Sequence, residues 1–468
     1  MNRLVVSRGT WDRIRQHLLA DESEHLCFLL AEHVDLGNTK VLLERELQLI
    51  DDRDLEGGGG WDSLSLKLEP LLRVMNRANQ LQCALVEAHS HPFASGGVTF
   101  SALDLRGQRE MVAYLADVAP SRAYGALVLG RNAVRGQVWL PGKKESLPLH
   151  QVRVVGPVLE DIEAEGGVPA TPASAGANRT EDLYQRQVLA LGASGQMKIG
   201  QTSVGIVGVG GVGSIVAQEL VYLGVREFLL IDDDLIEATN LHRLVGASPR
   251  DVGKRKTEVA KDHLKRVNPA AQVKAVYASV RSAEALLALK GSDVIFGCVD
   301  TDSGRLILNE LANAYLTPYI DCGVGIEVEE GMITQAGGRV VVWVPGRPCL
   351  LCAGEINTRI AAEELESPQE REFRRRHGYV AGADAPAAAV ISLNGTLASL
   401  AVTEFVALVT GFRASSHYTY YDMVEQRAGP RVVKNEHRCT ACALRGLGDK
   451  ANLFRYSRVG PPDDMPEV

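Results

Sequence analysis

Hydrophobic positions along the chain predict alternating strands and helices in two regions, separated by a stretch of different composition. The predicted strands of the first region are residues 26–31, 41–50, 83–88, 123–129 and 136–140. Helical periodicity fills residues 64–80 and begins again at Ser101. The second region opens with a strand over residues 202–209, a helix over 212–223 and a strand over 227–231. Because such alternation is typical of α/β domains, both regions are predicted to be α/β.

The stretch between the two regions is rich in Pro, Gly, Ala and acidic residues, so it is predicted to be a flexible linker. A chain of 468 residues has room for two or three domains, each with its own core. The predicted organisation is a first domain over 1–155, a linker over 156–180, a second domain over 181–445 and a loose tail over 446–468.

Composition narrows the class of protein. The formal net charge is −8, which argues against a nucleic-acid partner. No apolar run is seen to approach the roughly 20 residues that a membrane helix needs, and the N-terminus lacks the apolar core of a secretory signal. We therefore expect a cytoplasmic protein without a membrane partner.

A glycine-rich turn after the first strand of the second region predicts a nucleotide site. Residues 205–213 read Gly-Ile-Val-Gly-Val-Gly-Gly-Val-Gly, and the strand over 227–231 ends at an acid. Glycines let the backbone approach phosphates, the helix start offers free N–H groups, and the acid reaches a ribose hydroxyl. The predicted binding residues are Gly208, Gly210, Gly211, Gly213 and Asp232. NAD or FAD is the first alternative for such a turn.

Four polar residues further along the chain favour ATP instead. Asn240 and Arg243 can contact phosphates, and Lys256 can neutralise them. Asp300, at the end of a strand predicted over residues 294–299, can hold Mg²⁺. Because these residues have no role in hydride transfer, redox chemistry with NAD is disfavoured.

This order of residues resembles the ThiF/MoeB/ubiquitin-activating enzyme family over about residues 181–445. The resemblance implies a Rossmann-like domain with a mixed sheet. It implies that ATP and Mg²⁺ are used to adenylate the C-terminal Gly-Gly of a ubiquitin-like or sulfur-carrier protein. It also implies a homodimer in which Arg186 reaches into the partner's site.

The same resemblance assigns a role to each polar residue of the site. It gives the ribose to Asp232, the phosphates to Asn240, Arg243 and Lys256, and both Mg²⁺ and the adenylation chemistry to Asp300.

Two cysteine pairs predict a structural zinc site. Cys349 and Cys352 form one Cys-x-x-Cys pair, and Cys439 and Cys442 form the other. Two such pairs can meet in space and close a tetrahedral Zn²⁺ site without an open position. The resembled family carries a structural zinc in this arrangement.

The chain lacks a cysteine where many members of the resembled family carry one. No cysteine lies between Cys352 and Cys439, although the nucleophile that forms a thioester follows the first zinc pair in many relatives. The remaining cysteines, Cys27, Cys83, Cys298 and Cys322, lie in apolar patterns typical of buried side chains. We expect adenylation without a thioester in this loop, with transfer to a sulfur donor or a separate conjugating protein.

A histidine pair in the first region predicts a catalytic zinc site. His89 and His91 leave a strand with one residue between them, and Asp104 follows on the first turn of a helix. Two imidazoles and one carboxylate, with an open fourth position, are the ligands of a catalytic Zn²⁺. A pair of surface histidines is the alternative.

This segment resembles the JAMM (JAB/MPN) metalloprotease family, whose signature is His-x-His-Pro followed by Ser-x-x-Asp. The resemblance implies an α/β domain that cleaves ubiquitin-like proteins. It gives Ser101 the role of stabilising the oxyanion and assigns the general base to Glu24, with Glu22 as the alternative. Two departures are a loop before Ser101 that is about two residues longer and the loss of the usual strand glycines, which are replaced by Cys27 and Ala31.

Together these patterns predict a fusion of two enzymes that act on one ubiquitin-like protein. The zinc protease would trim a precursor or cleave conjugates, and the second domain would adenylate the exposed C-terminal glycine. One alternative is the maturation and activation of a sulfur carrier for cofactor or natural-product synthesis. Another is a first domain that only binds the ubiquitin-like protein.

Overall fold

The computed structural model describes residues 1–56, 65–94, 96–167, 183–366, 388–434 and 438–457. The chain forms two compact units. Unit 1 takes Met1–Gly176, Ala314–Leu316 and Arg445–Ala451, and unit 2 takes Ala177–Asn313, Thr317–Leu444 and Asn452–Val468.

Unit 1 is an α/β unit around one mixed sheet. Its helices are α1 (Arg8–Leu18), α2 (Leu68–Leu81) and α3 (Ala102–Val118). Its strands are β1 (Asn2–Ser7), β2 (Leu26–Asp35), β3 (Lys40–Leu49), β4 (Ala84–Ser90), β5 (Tyr124–Leu129), β6 (Val134–Trp139), β7 (Leu147–Pro148), β8 (Gln151–Val155) and β9 (Glu160–Glu163). They lie side by side in the order β7-β6-β5-β4-β2-β3-β1-β8-β9.

Strand β2 explains why one apolar run is continuous rather than alternating. Its Leu29 packs in one hydrophobic cluster with Trp11 of α1, and its Phe28 packs in the other cluster with Met75 of α2. Because both faces of the sheet are covered, successive residues of a central strand are all buried. The predicted α/β class of this region is confirmed by its secondary structure.

Part of the predicted linker is a strand. Residues 156–180 were expected to be flexible, but β9 lies inside this range and pairs antiparallel with β8. Its Ile162 packs against a hydrophobic cluster, and Arg153 of β8 donates to both oxygens of Asp161 at 2.7 Å. The linker prediction is therefore wrong for this strand, and residues 168–182 lie outside the described part of the chain.

Unit 2 is built on a second mixed sheet. Its helices are α4 (Gln185–Gln201), α5 (Gly213–Leu223), α6 (Lys256–Val267), α7 (Ala283–Leu289), α8 (Asp302–Tyr315), α9 (Thr358–Glu364) and α10 (Ile391–Thr410). Its strands are β10 (Ser203–Val207), β11 (Glu227–Ile231), β12 (Gln272–Val276), β13 (Val294–Gly297), β14 (Tyr319–Glu329), β15 (Met332–Trp343), β16 (Tyr418–Asp422) and β17 (Arg427–Pro430).

The strand order of unit 2 defines where a ligand is expected. The order is β12-β11-β10-β13-β14-β15-β16-β17. Strands β10 to β14 pair in parallel, and β15 to β17 pair antiparallel. From β10 the chain first moves toward β12 and then returns to β13 on its other side. In open α/β sheets such a reversal leaves a crevice at the carboxyl ends of the strands, where ligands bind.

Helix α10 corrects one expectation about membranes. With 20 residues and a mean hydropathy of 1.4, it is long and apolar enough to meet the criteria for a membrane span. Its buried residues include Leu397 and Phe405, and it packs against α4, α5, β14 and β15. This packing places α10 in the core of unit 2.

The predicted tail is partly ordered. Short 3₁₀ turns form at Gly448–Ala451 and Leu453–Tyr456, and Leu453 is buried. Arg455 forms an ion pair with Glu310. Burial and this ion pair contradict a loose tail up to residue 457, and residues 458–468 lie outside the described part.

Candidate functional site

The glycine turn lies at the carboxyl end of β10, at the reversal point of the sheet. Gly208 has a φ of +84°, and a Cβ on Gly213 would lie 1.9 Å from the carbonyl oxygen of Gly208. Only glycine fits so close an approach between strand and helix. At Gly210 no atom lies within 4 Å of the position of a Cβ, so this side of the turn is open for an anion.

Asp232 follows β11 and contacts the turn directly. Its carboxylate accepts hydrogen bonds from the backbone N–H of Val209 at 2.6 Å and of Asp234 at 2.9 Å. Burial raises the pKa of Asp232 to about 6, against the opposing effects of Lys256 and these N–H groups. A carboxylate fixed beside the turn in this way has the chemistry to accept hydrogen bonds from ribose hydroxyls.

Two of the predicted phosphate ligands lie in the segment after Asp232. Asn240 ends a 3₁₀ turn, and its Oδ1 accepts from the N–H of Glu237 at 3.1 Å. Arg243 donates from its backbone to the carbonyl of Asn240, and its Cδ lies 3.2 Å from the position of a Cβ on Gly211. The structure therefore brings Arg243 against the glycine turn.

Lys256 lies at the first position of α6 and faces the same acidic segment. Its Nζ donates to Asp234 Oδ2 at 2.6 Å, two residues beyond Asp232. Because Asp234 is largely exposed, this ion pair is expected to be weak, and a phosphate can compete for the ammonium.

Asp300 follows β13, the strand that neighbours β10. The segment before it is packed against the turn, since a Cβ on Gly208 would lie 2.5 Å from the carbonyl oxygen of Cys298. Asp300 itself is exposed. Arg305 donates to the carbonyl of Val299 at 3.0 Å, so its guanidinium is a further cation beside Asp300. No role was predicted for this arginine from the sequence.

Arg186 is placed differently from the other predicted residues. It is exposed on α4, and no hydrogen bond or ion pair among the described residues joins it to the glycine turn. Within one chain, the structure brings together the turn, Asp232 and Arg243, with Lys256 beside them, but not Arg186.

The four cysteines of the two pairs meet in unit 2. The Sγ–Sγ distances are 3.8 Å for Cys349–Cys352, 3.5 Å for Cys349–Cys439 and 3.7 Å for Cys352–Cys442. Four sulfurs about 2.3 Å from a tetrahedral Zn²⁺ lie about 3.8 Å apart, so this geometry fits zinc. A hydrogen bond from the Cys442 thiol, together with one from the backbone N–H of Cys352, lowers the pKa of Cys349 and favours the thiolate that binds metal.

Asn309 of α8 supports this cluster, and no such role was predicted for it from the sequence. It is fully buried, and its Oδ1 accepts from the N–H of Leu350 at 3.0 Å, inside the Cys349–Cys352 pair. Because α8 also carries the polar residues Glu310 and Asn313, no pattern in the sequence marked this asparagine.

The predicted histidine site of unit 1 is also assembled. His89 Nε2 lies 3.4 Å from Asp104 Oδ2, and His91 Nε2 lies 3.6 Å from the same oxygen. Ligand atoms at about 2.0–2.1 Å from a tetrahedral metal lie about 3.4 Å apart, so the three side chains fit one Zn²⁺. Although its burial opposes this, the Asp104 carboxylate raises the pKa of His89.

The two candidates for the general base, Glu24 and Glu22, differ in their contacts with the histidine cluster. Glu24 Oε1 lies 3.5 Å from His91 Nε2, whereas Glu22 forms an ion pair with Arg131. Ser101 is the N-cap of α3, where its Oγ accepts from the N–H of Asp104 at 3.1 Å. The backbone N–H of Ser101 in turn donates to Asp104 Oδ2 at 2.6 Å, and this hydrogen bond orients the carboxylate that is the predicted metal ligand.

A further carboxylate near this site was not predicted from the sequence. Glu87 lies two residues before His89 on β4, on the same face of the strand, and accepts from the hydroxyl of Tyr124 at 3.0 Å. Burial raises the pKa of Glu87. The alternation of Glu87, His89 and His91 was its signal in the sequence.

Comparison with known proteins gives a family match in the second half of the chain. The sequence model of the ThiF family matches residues 184–443. This range contains the glycine turn and both cysteine pairs. The match covers more than half of the chain.

Two relatives illustrate the similarity. The SAMP-activating enzyme E1 of Haloferax volcanii is 32% identical over 36% of this chain, and the matched part covers 61% of that protein. The molybdopterin-synthase adenylyltransferase of Escherichia coli is 28% identical over 55% of this chain and 95% of that protein. Among solved structures, a crystal structure of E. coli MccB with MccA-N7isoASN has a TM-score of 0.46 at 22% identity, covering 56% of this chain and 74% of that one.

Proposed function

The chain belongs to the ThiF family, and from this premise we propose that unit 2 is an ATP-dependent adenylyltransferase. The proposed substrate is a small ubiquitin-like or sulfur-carrier protein that ends in Gly-Gly. The observation that carries the proposal is the convergence of Asp232 and Arg243 on the glycine turn, with Lys256 beside Asp234.

In the proposed reaction the carrier's C-terminal carboxylate attacks the α-phosphate of ATP. An oxygen–phosphorus bond forms, the bond to the β-phosphate oxygen breaks, and pyrophosphate leaves. The carboxylate is already ionised, so the reaction needs charge neutralisation and alignment more than a base. Arg243 and Lys256 supply positive charge, and Asp232 fixes the ribose.

Asp300 is the residue we propose to hold Mg²⁺. Bound there, Mg²⁺ would supply charge neutralisation for the leaving pyrophosphate. Asp300 is exposed and lies one strand from the glycine turn, which fits a group that meets a metal–nucleotide complex from solution.

The relatives favour the sulfur-carrier alternative over the prediction of an enzyme that trims or deconjugates a ubiquitin-like protein and adenylates its C-terminal glycine. The two relatives named above are an E1 for SAMP and an adenylyltransferase for molybdopterin synthase. A protein named sulfur carrier protein adenylyltransferase from Thermus thermophilus is 33% identical over 35% of this chain. We therefore propose that the acyl-adenylate passes to a sulfur donor. The loop without a cysteine includes residues 367–387, which lie outside the described part.

Intact-mass analysis of the carrier tests this proposal. Carrier incubated with the chain, ATP and Mg²⁺ should gain the mass of an adenylyl group, which is AMP less one water. With Asp300→Asn the rate should fall about 100-fold or more, because charge stabilisation is lost in the transition state. Thr403→Val, which removes an exposed hydroxyl on α10, is the matched control and should keep full activity. A reducible covalent adduct between chain and carrier would contradict direct transfer.

We propose that the cysteine cluster holds a structural Zn²⁺. Its four ligands leave no open position for chemistry. The zinc would tie the segment after β15 to the segment after β17, and thereby fix the loop that carries Leu350.

A second function is favoured by the histidine cluster of unit 1. We propose a metalloprotease site in which His89, His91 and Asp104 hold Zn²⁺, which would supply a water of lowered pKa. Glu24 beside His91 would take the proton of that water. Fusion to unit 2 would raise the local concentration of a trimmed carrier.

A carrier with a C-terminal extension tests this second function. The wild-type chain should shorten it, and Glu24→Gln should not, whereas Glu22→Gln should behave as wild type. Bound zinc with no cleavage by the wild-type chain would instead support the binding-module alternative.

We further propose that the protein acts as a cytoplasmic homodimer in which Arg186 completes the partner's nucleotide site. Its exposed position on α4, without a contact to the glycine turn of its own chain, supports this placement.

A further inference from the structure

Asn394 is a buried amide in the first turn of a helix that is otherwise mostly apolar. Only 4% of its surface is exposed, and it lies between Leu393 and Gly395 of α10. Leucine would form helix more readily here and would bury no polar atoms. A buried amide is expected to have a polar partner.

The amide lies against the glycine turn. A Cβ on Gly211 would be 2.5 Å from Asn394 Nδ2 and 3.2 Å from Cδ of Arg243. Both side chains therefore lie against Gly211. The neighbouring position in the turn, Gly210, is open.

The charges around the turn favour an anion as the partner of the amide. The N-terminus of α5 begins at Gly213, and its free N–H groups and dipole attract negative charge. Arg243 adds a full positive charge on the same side as Asn394. A neutral N–H donor between them can orient a phosphate oxygen without adding more charge.

We propose that Asn394 is a phosphate-binding residue, whose side-chain N–H donates to a nucleotide phosphate held by the glycine turn beside Arg243. The inference rests on the proposed function of unit 2 and adds a residue that fixes the orientation of the phosphate chain.

The test compares ligands that differ in their phosphates. ATP, AMP and adenosine are titrated into the full chain by calorimetry, for the wild type, Asn394→Leu and Asn394→Asp. For Asn394→Leu we expect about tenfold weaker binding of ATP, because a hydrogen bond to a charged group is lost, and less than a twofold change for adenosine. The isosteric Asn394→Asp places a negative charge near the phosphates and should weaken ATP binding further.

Thr403→Val, an exposed hydroxyl on the same helix, is the control and should bind all three ligands as the wild type does. Thermal unfolding is measured for every variant. If Asn394 has only a packing role, leucine should keep or raise the midpoint and leave ATP affinity unchanged.

The binding measurements decide the inference. Selective loss of ATP affinity in a folded Asn394→Leu variant supports it, and equal affinities for ATP in wild type and variant overturn it. If the leucine variant does not fold, the aspartate variant decides. Weaker binding of ATP but not of adenosine by Asn394→Asp supports the inference, and unchanged ATP binding overturns it. A wild-type chain that does not bind ATP would overturn the proposed function itself, which is a different result.

Discussion

At the scale of single residues, Asp232 links the glycine turn to the expected ribose. Its carboxylate holds the N–H of Val209, so the acid that would bind the ribose also fixes the turn that would bind the phosphates. The ordinary pKa of an aspartate is about 3.9. Burial raises that of Asp232 to about 6, so this group titrates close to neutral pH.

ATP affinity should therefore fall as the pH decreases through about 6. The ionised carboxylate accepts hydrogen bonds from hydroxyls and from Val209, and protonation removes this acceptor. We expect the dissociation constant of ATP to rise several-fold between about pH 7.5 and pH 5.5. Asp232→Asn separates this effect from the titration of ATP itself. The Asp232→Asn chain should bind ATP weakly at both pH values, and its ATP affinity should change less with pH. If its ATP affinity changes with pH as steeply as that of the wild type, Asp232 is not the cause.

Two alanine substitutions in the turn should have different effects. In Gly213→Ala the new Cβ meets the carbonyl oxygen of Gly208, a backbone atom that cannot move aside. We expect a loss of roughly 3 kcal/mol in the free energy of unfolding. In Gly210→Ala the Cβ enters open space, so stability should be kept while ATP binding weakens. Denaturant unfolding and ATP titration of both variants measure stability and affinity. Equal stability of the two variants would show that Gly213 is not packed against the carbonyl of Gly208.

The sequence predicted that Asp232, Arg243 and Lys256 lie near the glycine turn, where the structure places them, but it did not predict their neighbours. The binding roles of these three residues stay predictions. Asp232 and Asp300 end strands, and Lys256 begins a helix, so the topology of an α/β sheet predicts where these groups lie.

Asn394 and Glu87 were not predicted to belong to any site. Asn394 meets the glycine turn through a contact between segments far apart in the chain, and a single buried polar residue carries no spacing signal. Glu87 had a signal, its alternation with His89 and His91, that was overlooked.

At the scale of elements, apolar runs predicted the central strands and helices, and polar segments were misjudged. Strand β9 was missed because it lies at the sheet edge, where Asp161 and Glu163 face solvent and only Ile162 is directed to a core. A short edge strand of this kind resembles a linker in composition. The ordered turn Leu453–Tyr456 was missed because its stability depends on an ion pair with distant Glu310.

The cysteine cluster makes a prediction at this scale, because it joins two segments that are far apart in the sequence. Cys442→Ser should remove one zinc per chain and lower the stability of unit 2 by about 3 kcal/mol, because binding energy at a structural zinc is folding energy. Cys83→Ser, in unit 1, is the control and should keep the zinc content. Elemental analysis with thermal unfolding measures both. A Cys442→Ser chain with wild-type zinc content would show that the four thiols hold no metal.

At the scale of the whole molecule, the placement of Arg186 makes a prediction about assembly. If it completes the partner's site, Arg186→Ala and Asp300→Asn are each inactive alone. After mixing and exchange of subunits, each heterodimer contains one intact site, so about a quarter of the wild-type activity should return. Adenylate formation in the mixture measures this recovery. No recovery, with heterodimers shown by mass, would place Arg186 in its own chain's site or outside the reaction.

The two units carry separate clusters of candidate site residues on one chain. Unit 1 assembles His89, His91, Asp104 and Glu24, and unit 2 assembles the glycine turn with Asp232 and Arg243. A variant of one cluster should therefore leave the chemistry of the other unchanged. For unit 2, whose family is established by the match over residues 184–443, the proposed chemistry is adenylation of a carrier's C-terminus.

Exchange of labelled pyrophosphate into ATP tests that claim most directly. The chain is incubated with ATP, Mg²⁺ and a small carrier protein, either ending in Gly-Gly or lacking these two residues. Reversible adenylation predicts exchange that depends on the Gly-Gly form and is lost in Asp300→Asn. Exchange of equal rate without any carrier, or no exchange with a panel of Gly-Gly carriers although ATP binds, would contradict adenylation of a carrier's C-terminus.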